Sequence, residues 1–219
     1  MLRKCIYTVI TGNYDRLQPA PNFPGWDTVL FTDQDVPQKM GWTVRSVYYL
    51  DNPVLESRRI KILSHQFLSN YDLVCYVDAN QKLLKPPPSK PVWFHHVRRK
   101  TIFEEARQLI INGRFPEDEV NKMMSHYINN DYQDCGLYLN GYFIRRHTPE
   151  INLLHDIWFE ETERFLPRDQ LTLPYAIFRT GIFPENRIFD LRIKESYAIV
   201  KKPHVKKYDS TSYNSGPIR

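Results

Sequence analysis

Leu73-Val74-Cys75-Tyr76-Val77-Asp78-Ala79-Asn80 carries the clearest fold signal in the chain. Five apolar or aromatic residues in a row, with no polar alternation, describe a strand covered on both faces, as the central strands of parallel sheets are. The run stops abruptly in Asp78-Ala79-Asn80, residue types that end strands and open loops. Two runs of the same kind precede it. Residues 4–10 lead into Thr11-Gly12-Asn13-Tyr14-Asp15, and residues 27–31 end in Thr32-Asp33. Residues 42–48 follow the Gly41 break as a further strand. From Pro53 the spacing turns helical, with Ile60, Leu63, Phe67 and Leu68 on one face and Arg58, Arg59 and Lys61 beside them, up to about Ser69-Asn70.

Beyond Asn80, Lys85-Pro86-Pro87-Pro88-Ser89-Lys90-Pro91 is too rich in proline for a helix or an inner strand and reads as a stiff connector. A strand over 92–96, helices over 101–113 and 117–129, and a second apolar strand over 136–144 follow. An amphipathic helix over 150–165 stops at Pro167, and another helix opens after Arg168-Asp169-Gln170. Alternating strands and helices predict one α/β domain over residues 1–200, Rossmann-like, with a mostly parallel central sheet flanked by helices. Residues 201–219 read as a basic tail. Ligands of such sheets sit beyond the carboxyl ends of the strands, where Asp15, Asp33 and Asp78 fall.

Composition narrows the functional classes. At 219 residues, with 42% hydrophobic and 25% charged residues, the chain can bury one substantial core and is not a disordered segment. No run approaches the roughly 18 apolar residues of a membrane helix, and the N-terminus carries no signal-peptide pattern. A cytoplasmic location is therefore expected. Cys5 and Cys75 lie inside apolar runs, so reduced, buried thiols are expected in place of a redox pair. The formal charge of +5 favours an anionic partner such as nucleotide phosphates, nucleic acid or an acidic surface.

A carboxylate just past a central strand can meet a divalent cation or a ribose. In Asp78-Ala79-Asn80 two oxygen-bearing side chains are spaced to reach one metal–diphosphate unit, and oxygen ligands are what Mn2+ and Mg2+ prefer. The same tripeptide also serves as a plain strand-closing turn.

Several segments in order resemble the bacterial and plant glycosyltransferase-like domains formerly classed as a domain of unknown function, GT-A in type and distantly related to family 8 glycosyltransferases. These are TVITGNYD, FTD, RRIKILSHQFL, YDLVCYVDAN, HHVRRKTIFEEA, GLYLNGYFIRRHTPEINLLHDIWFEE and RDQLTLPYA, together covering residues 6 to about 176. The resemblance implies a GT-A-like domain using a nucleotide-sugar donor, a UDP-sugar above all, with Mn2+ or Mg2+.

Under that resemblance Thr11, Tyr14, Asp15 and Asp33 line the nucleotide pocket. Asp78 and Asn80 stand in the place of the DxD motif, with a neutral amide at its last position. Of the basic helix residues, Arg59 and Lys61 are the ones expected to turn to the diphosphate, the alternative being a solvated helix face. The family's His-Pro-Arg signature appears as His96-Val97-Arg98, with His95 as the other register, and is expected to hold the donor sugar or the acceptor. Arg168, Asp169 and Gln170 are expected at the reacting sugar, Asp169 acting as a base or as a stabiliser of oxocarbenium-like charge. A helix cap is the alternative for Asp169. His204 in the basic tail is a third metal-ligand candidate. The acceptor is expected to be a glycan or glycan precursor. A hydroxymethylated DNA base, as for some phage enzymes, and a non-catalytic binding module are the competing readings.

Overall fold

The computed structural model describes residues 2–48, 52–188 and 199–201. In chain order the elements are β1 (Lys4–Ile10), β2 (Asp27–Thr32), β3 (Thr43–Ser46), α1 (Pro53–Ile62), α2 (Ser64–Phe67), β4 (Leu73–Val77), β5 (Gln81–Leu83), β6 (Val92–His95), α3 (Ile102–Ile111), α4 (Glu117–Asn129), β7 (Tyr138–Arg146), α5 (Pro149–Arg164), α6 (Asp169–Thr180), β8 (Arg187–Ile188) and β9 (Ile199–Lys201). Seven strands make one mixed sheet in the order β3-β2-β1-β4-β7-β6-β8, and β5 pairs with β9 in a second sheet of two. This is a single α/β domain with a mostly parallel sheet, as the sequence predicts.

Residues 73–77 form the central strand, and every one of them is buried. β4 is parallel to β1 on one side and antiparallel to β7 on the other, so the mostly parallel sheet has a reversed neighbour at its centre. The reversal matters for the site. An antiparallel neighbour delivers the middle of β7 to the carboxyl end of β4, and Asp78 N donates to Gly141 O at 2.9 Å.

Local sequence explains the helix starts. Asn52 caps α1 by accepting from Leu55 N at 2.9 Å, with Pro53 in the first turn where its missing N–H is harmless. Thr101 and Glu104 form a capping box at α3, and Thr148 caps α5 ahead of Pro149. The helix expected over 53–70 instead breaks at Leu63 (φ −88°, ψ 33°) and resumes as α2. Its last carbonyls are taken by buried side chains. Tyr7 Oη donates to Lys61 O at 2.6 Å, and Arg145 and His155 reach Ile62 O at 3.0 and 2.7 Å. With those acceptors occupied, the helical ladder ends, and Lys61 is fixed in the final turn of α1.

One core packs around the sheet: Trp93 stacks on Phe143 with centroids 4.3 Å apart, and Trp158 lies beside both. A second cluster joins α3, α4 and α6 through the Tyr127–Tyr175 stack at 3.8 Å. Cys5 and Cys75 are buried free thiols, and burial pushes the Cys5 thiol up to about 12. Among the described residues no helix is long and apolar enough to cross a membrane.

Candidate active site

A cavity of about 250 Å³ opens where the loops after β1 and β4 face α1 and the start of α6. It lies beyond the carboxyl ends of the central strands, where open α/β sheets bind their ligands.

The first wall is the loop after β1. Thr11 Oγ1 donates to Pro53 O at 2.6 Å, tying the loop to the first turn of α1. Gly12 (φ +65°) and Asn13 (φ +50°) turn the chain in the left-handed region, and a Cβ on Gly12 would stand 3.0 Å from Pro53 Cβ. Asp33 accepts from Gly12 N at 2.8 Å, so it braces this turn from β2 while standing outside the cavity lining. Thr11, Tyr14 and Asp15 do line it.

The floor is Asp78 and its neighbours. Asp78 Oδ1 accepts from Tyr76 Oη at 3.0 Å and Oδ2 from Gln81 Nε2 at 3.3 Å. Asn80 is wholly buried and absent from the lining. Two residues apart in sequence, the members of the Asp78-Ala79-Asn80 motif thus lie in different environments.

The far wall is built by α1 and α6. Lys61 Nζ meets Asp169 Oδ2 in a buried ion pair, and the same ammonium stands 4.6 Å from the centre of the Tyr76 ring. Burial pulls the Lys61 ammonium below the usual lysine range against the opposing charges of Asp169 and Asp78. For Asp169, burial alone would raise the pKa, but Lys61, Arg58 and Arg168 outweigh it and hold the carboxyl well below the usual carboxylate range. Its backbone is pinned as well. Asp169 O accepts from Asn140 Nδ2 at 2.9 Å and from Trp158 Nε1 at 3.0 Å, and Trp93 Nε1 holds Asn140 Oδ1 at 3.1 Å.

Arg168 lines the cavity next to Asp169 and is held from behind by Glu105, whose Oε1 accepts from Arg168 Nε at 3.1 Å and Nη2 at 2.5 Å. Arg99 pairs with the other Glu105 oxygen. The two arginines overcome burial and keep this carboxyl below its ordinary pKa. Gln170 lines the cavity with its amide engaged, Oε1 by Arg168 and Nε2 by Tyr138 O at 3.2 Å.

Besides Asp33 and Asn80, three further expected residues, Arg59, His96 and Arg98, do not line the cavity. Arg59 forms a two-pronged pair with Glu56, at 2.8 and 2.6 Å, over the Phe67 ring, and it is Arg58, one residue earlier, that lines the site. His96 folds back on its own turn: Nδ1 accepts from Arg99 N at 3.0 Å and Arg98 N at 3.2 Å, and Nε2 lies 3.0 Å from Arg99 Nη2. Arg98 is exposed and outside the lining. His204 lies outside the described residues.

Sequence reading passed over Arg58 in favour of its neighbour and did not single out Tyr76, Gln81, Asn140, Gly141 or Glu105. Asn140-Gly141 had a usable signal, a polar and a bare residue inside an apolar strand, which marks a close approach. Tyr76 had none, being one more aromatic in a core strand.

Among curated proteins no significant match to this sequence is found. The TOD1/MUCI70 glycosyltransferase-like domain, as a family profile, matches residues 42–202, which takes in Arg58, Lys61, Asp78, Asn140 and Asp169 and leaves the loop after β1 ahead of the matched region. With more than half of its length inside that match, and with the matched segment forming most of the cavity just described, the chain belongs to the TOD1/MUCI70 glycosyltransferase-like domain family.

Proposed function

We propose that the chain moves a sugar from a nucleotide-sugar donor, a UDP-sugar in the first instance, onto a glycan or glycan precursor. The observation that carries this reading is the convergence on one cavity of the β1 loop, Asp78, Arg58 and the Lys61–Asp169 pair, within a glycosyltransferase-like domain. Tyr14 and Asp15 receive the nucleoside end, on the loop that Thr11 and Asp33 brace. Arg58 is assigned to the diphosphate, for which a planar guanidinium is suited. Lys61 is assigned to holding Asp169, which its burial and pairing favour over a direct phosphate contact.

Asp78 is one carboxylate at the diphosphate end, and among the described residues no group of three or more His, Cys, Asp or Glu could hold a metal. That donor set suits Mg2+ or Mn2+ carried largely by substrate phosphates, not a preformed cage. Such an ion, when bound, neutralises charge on the departing diphosphate. His204, proposed from the family resemblance as a further ligand, lies outside the described residues.

Asp169, paired with Lys61 and held below the usual carboxylate range by Lys61, Arg58 and Arg168, is a poor proton acceptor. It is assigned to stabilising positive charge at the reacting sugar, with Arg168 and Gln170 shaping that end. Calorimetric titration with UDP, with and without Mn2+, tests the donor assignment. Tighter binding with Mn2+ is expected, and no binding in either condition contradicts it. Salt-sensitive binding to a duplex with hydroxymethylated bases would move the acceptor to nucleic acid.

A further inference from the structure

Asp78 is held by more than its place at a strand end. Among the described residues its two oxygens each accept one hydrogen bond, Oδ1 from Tyr76 Oη at 3.0 Å and Oδ2 from Gln81 Nε2 at 3.3 Å. A carboxylate oxygen has two lone pairs, so each oxygen keeps capacity for one further partner. The donors are themselves immobilised. Tyr76 is 3% exposed, stacked on Phe143 at 5.3 Å and met edge-on by Tyr7 at 5.3 Å. Gln81 is 6% exposed, and its backbone N closes the turn onto Asp78 O at 2.9 Å while its strand pairs with β9.

The space for this arrangement comes from one residue on the neighbouring strand. A Cβ added at Gly141 would lie 2.6 Å from Asp78 Oδ2 and 2.8 Å from Gln81 Nε2, inside any tolerable contact. The backbone of Gly141 is not in the left-handed region, so glycine is needed there for room and not for conformation.

We propose that Tyr76 and Gln81 are positioning residues that fix the Asp78 carboxylate from both sides, with Gly141 as the slot that admits it. This rests on the reading of the cavity as a metal-assisted nucleotide-sugar site and deepens it. A carboxylate fixed in one rotamer meets a diphosphate-borne cation without first giving up side-chain freedom, which is how a surrounding shell supports a ligand residue. Tyr76 also carries Lys61 Nζ against its ring, so one core side chain touches both the Asp78 end and the Asp169 end of the site.

Two measurements test the proposal. The first is a double-mutant cycle on UDP affinity in Mn2+, since coupling between residues that act together shows as non-additivity. Tyr76→Phe keeps the ring and removes only the hydroxyl, and Gln81→Met keeps the length and removes the amide. Each is expected to weaken Mn2+-supported UDP binding about tenfold, to change metal-free binding less than twofold, and to have less than a twofold effect in an Asp78→Ala background. Equal losses in both backgrounds, or none in either, would overturn the positioning role. The second needs no ligand. A crystal structure of Gly141→Ala is expected to show the Asp78 carboxylate rotated out of the Tyr76–Gln81 clamp, and an unmoved carboxylate would overturn the slot. Failure of the unaltered protein to bind UDP would count against the nucleotide-sugar reading alone, and the crystal structure would still decide the clamp.

Discussion

The Lys61 ammonium and the Asp169 carboxylate, 108 residues apart in the chain, meet as a buried ion pair in the wall of the cavity. α1 brings the cation and the first turn of α6 brings the anion, so the pair joins two helices and sets the charge at one end of the site. Taking two charges out of water is costly, and the pair survives because each compensates the other.

Breaking that pair from one side should therefore unbalance the fold. Lys61→Met and Asp169→Leu are each expected to cost about 3–5 kcal/mol, because the remaining charge is left buried without its partner. The double variant Lys61→Met/Asp169→Leu is expected to recover most of that loss in urea unfolding while remaining inactive. A double variant no more stable than either single one would show that the pair is not coupled.

Adjacent arginines separate site from surface. Arg58→Ala is expected to lower UDP affinity at least tenfold, about 1.4 kcal/mol, because Arg58 lines the cavity. Arg59→Ala should leave affinity within about twofold, since Arg59 stands outside the cavity lining and its guanidinium is engaged by Glu56. Calorimetry on the two variants decides between them, and the reverse order would place the diphosphate on the other face of α1.

Histidines behind the sheet predict a pH dependence of stability. Burial first, and then the charge of Arg145, push His147 down to about 3 and His155 well below its ordinary value. The unfolded chain takes up protons on these rings near pH 6.5 while the folded protein does not, so the stabilisation is fully present above that pH. It is lost as pH falls from about 6.5 towards the folded values, at about 1.4 kcal/mol per pH unit for each ring. Urea midpoints between pH 7 and pH 4.5 should fall accordingly, and His147→Gln should reduce the slope by one proton. A flat profile over that window would mean the rings are protonated in the fold.

Much of the architecture was legible because burial leaves a mark on sequence. The apolar runs at residues 4–10 and 73–77 give β1 and β4, and Asp78 was identifiable as the carboxylate at a strand end. The direction of β7 was not legible, because pairing direction is a property of the assembled sheet and not of the run Tyr138–Arg146. β5 and β9, at three residues each, are too short to show a period. Within the site, residue type was readable and partnership was not. Lys61 and Asp169 stood out separately, yet nothing local says that they meet. One step of helical phase, about 100°, separates Arg58 in the cavity from Arg59 on Glu56. His96 stood out only through the resemblance of His96-Val97-Arg98 to a His-Pro-Arg signature, and here it is spent on Arg99.

The most direct test of the central claim is release of UDP from a panel of UDP-sugars by the purified protein, with and without Mn2+, alongside Asp78→Ala. Turnover of at least one donor is expected, dependent on Mn2+ and reduced a hundredfold or more by Asp78→Ala, the loss corresponding to about 3 kcal/mol of transition-state stabilisation. Near-normal turnover by a folded Asp78→Ala protein would contradict the account.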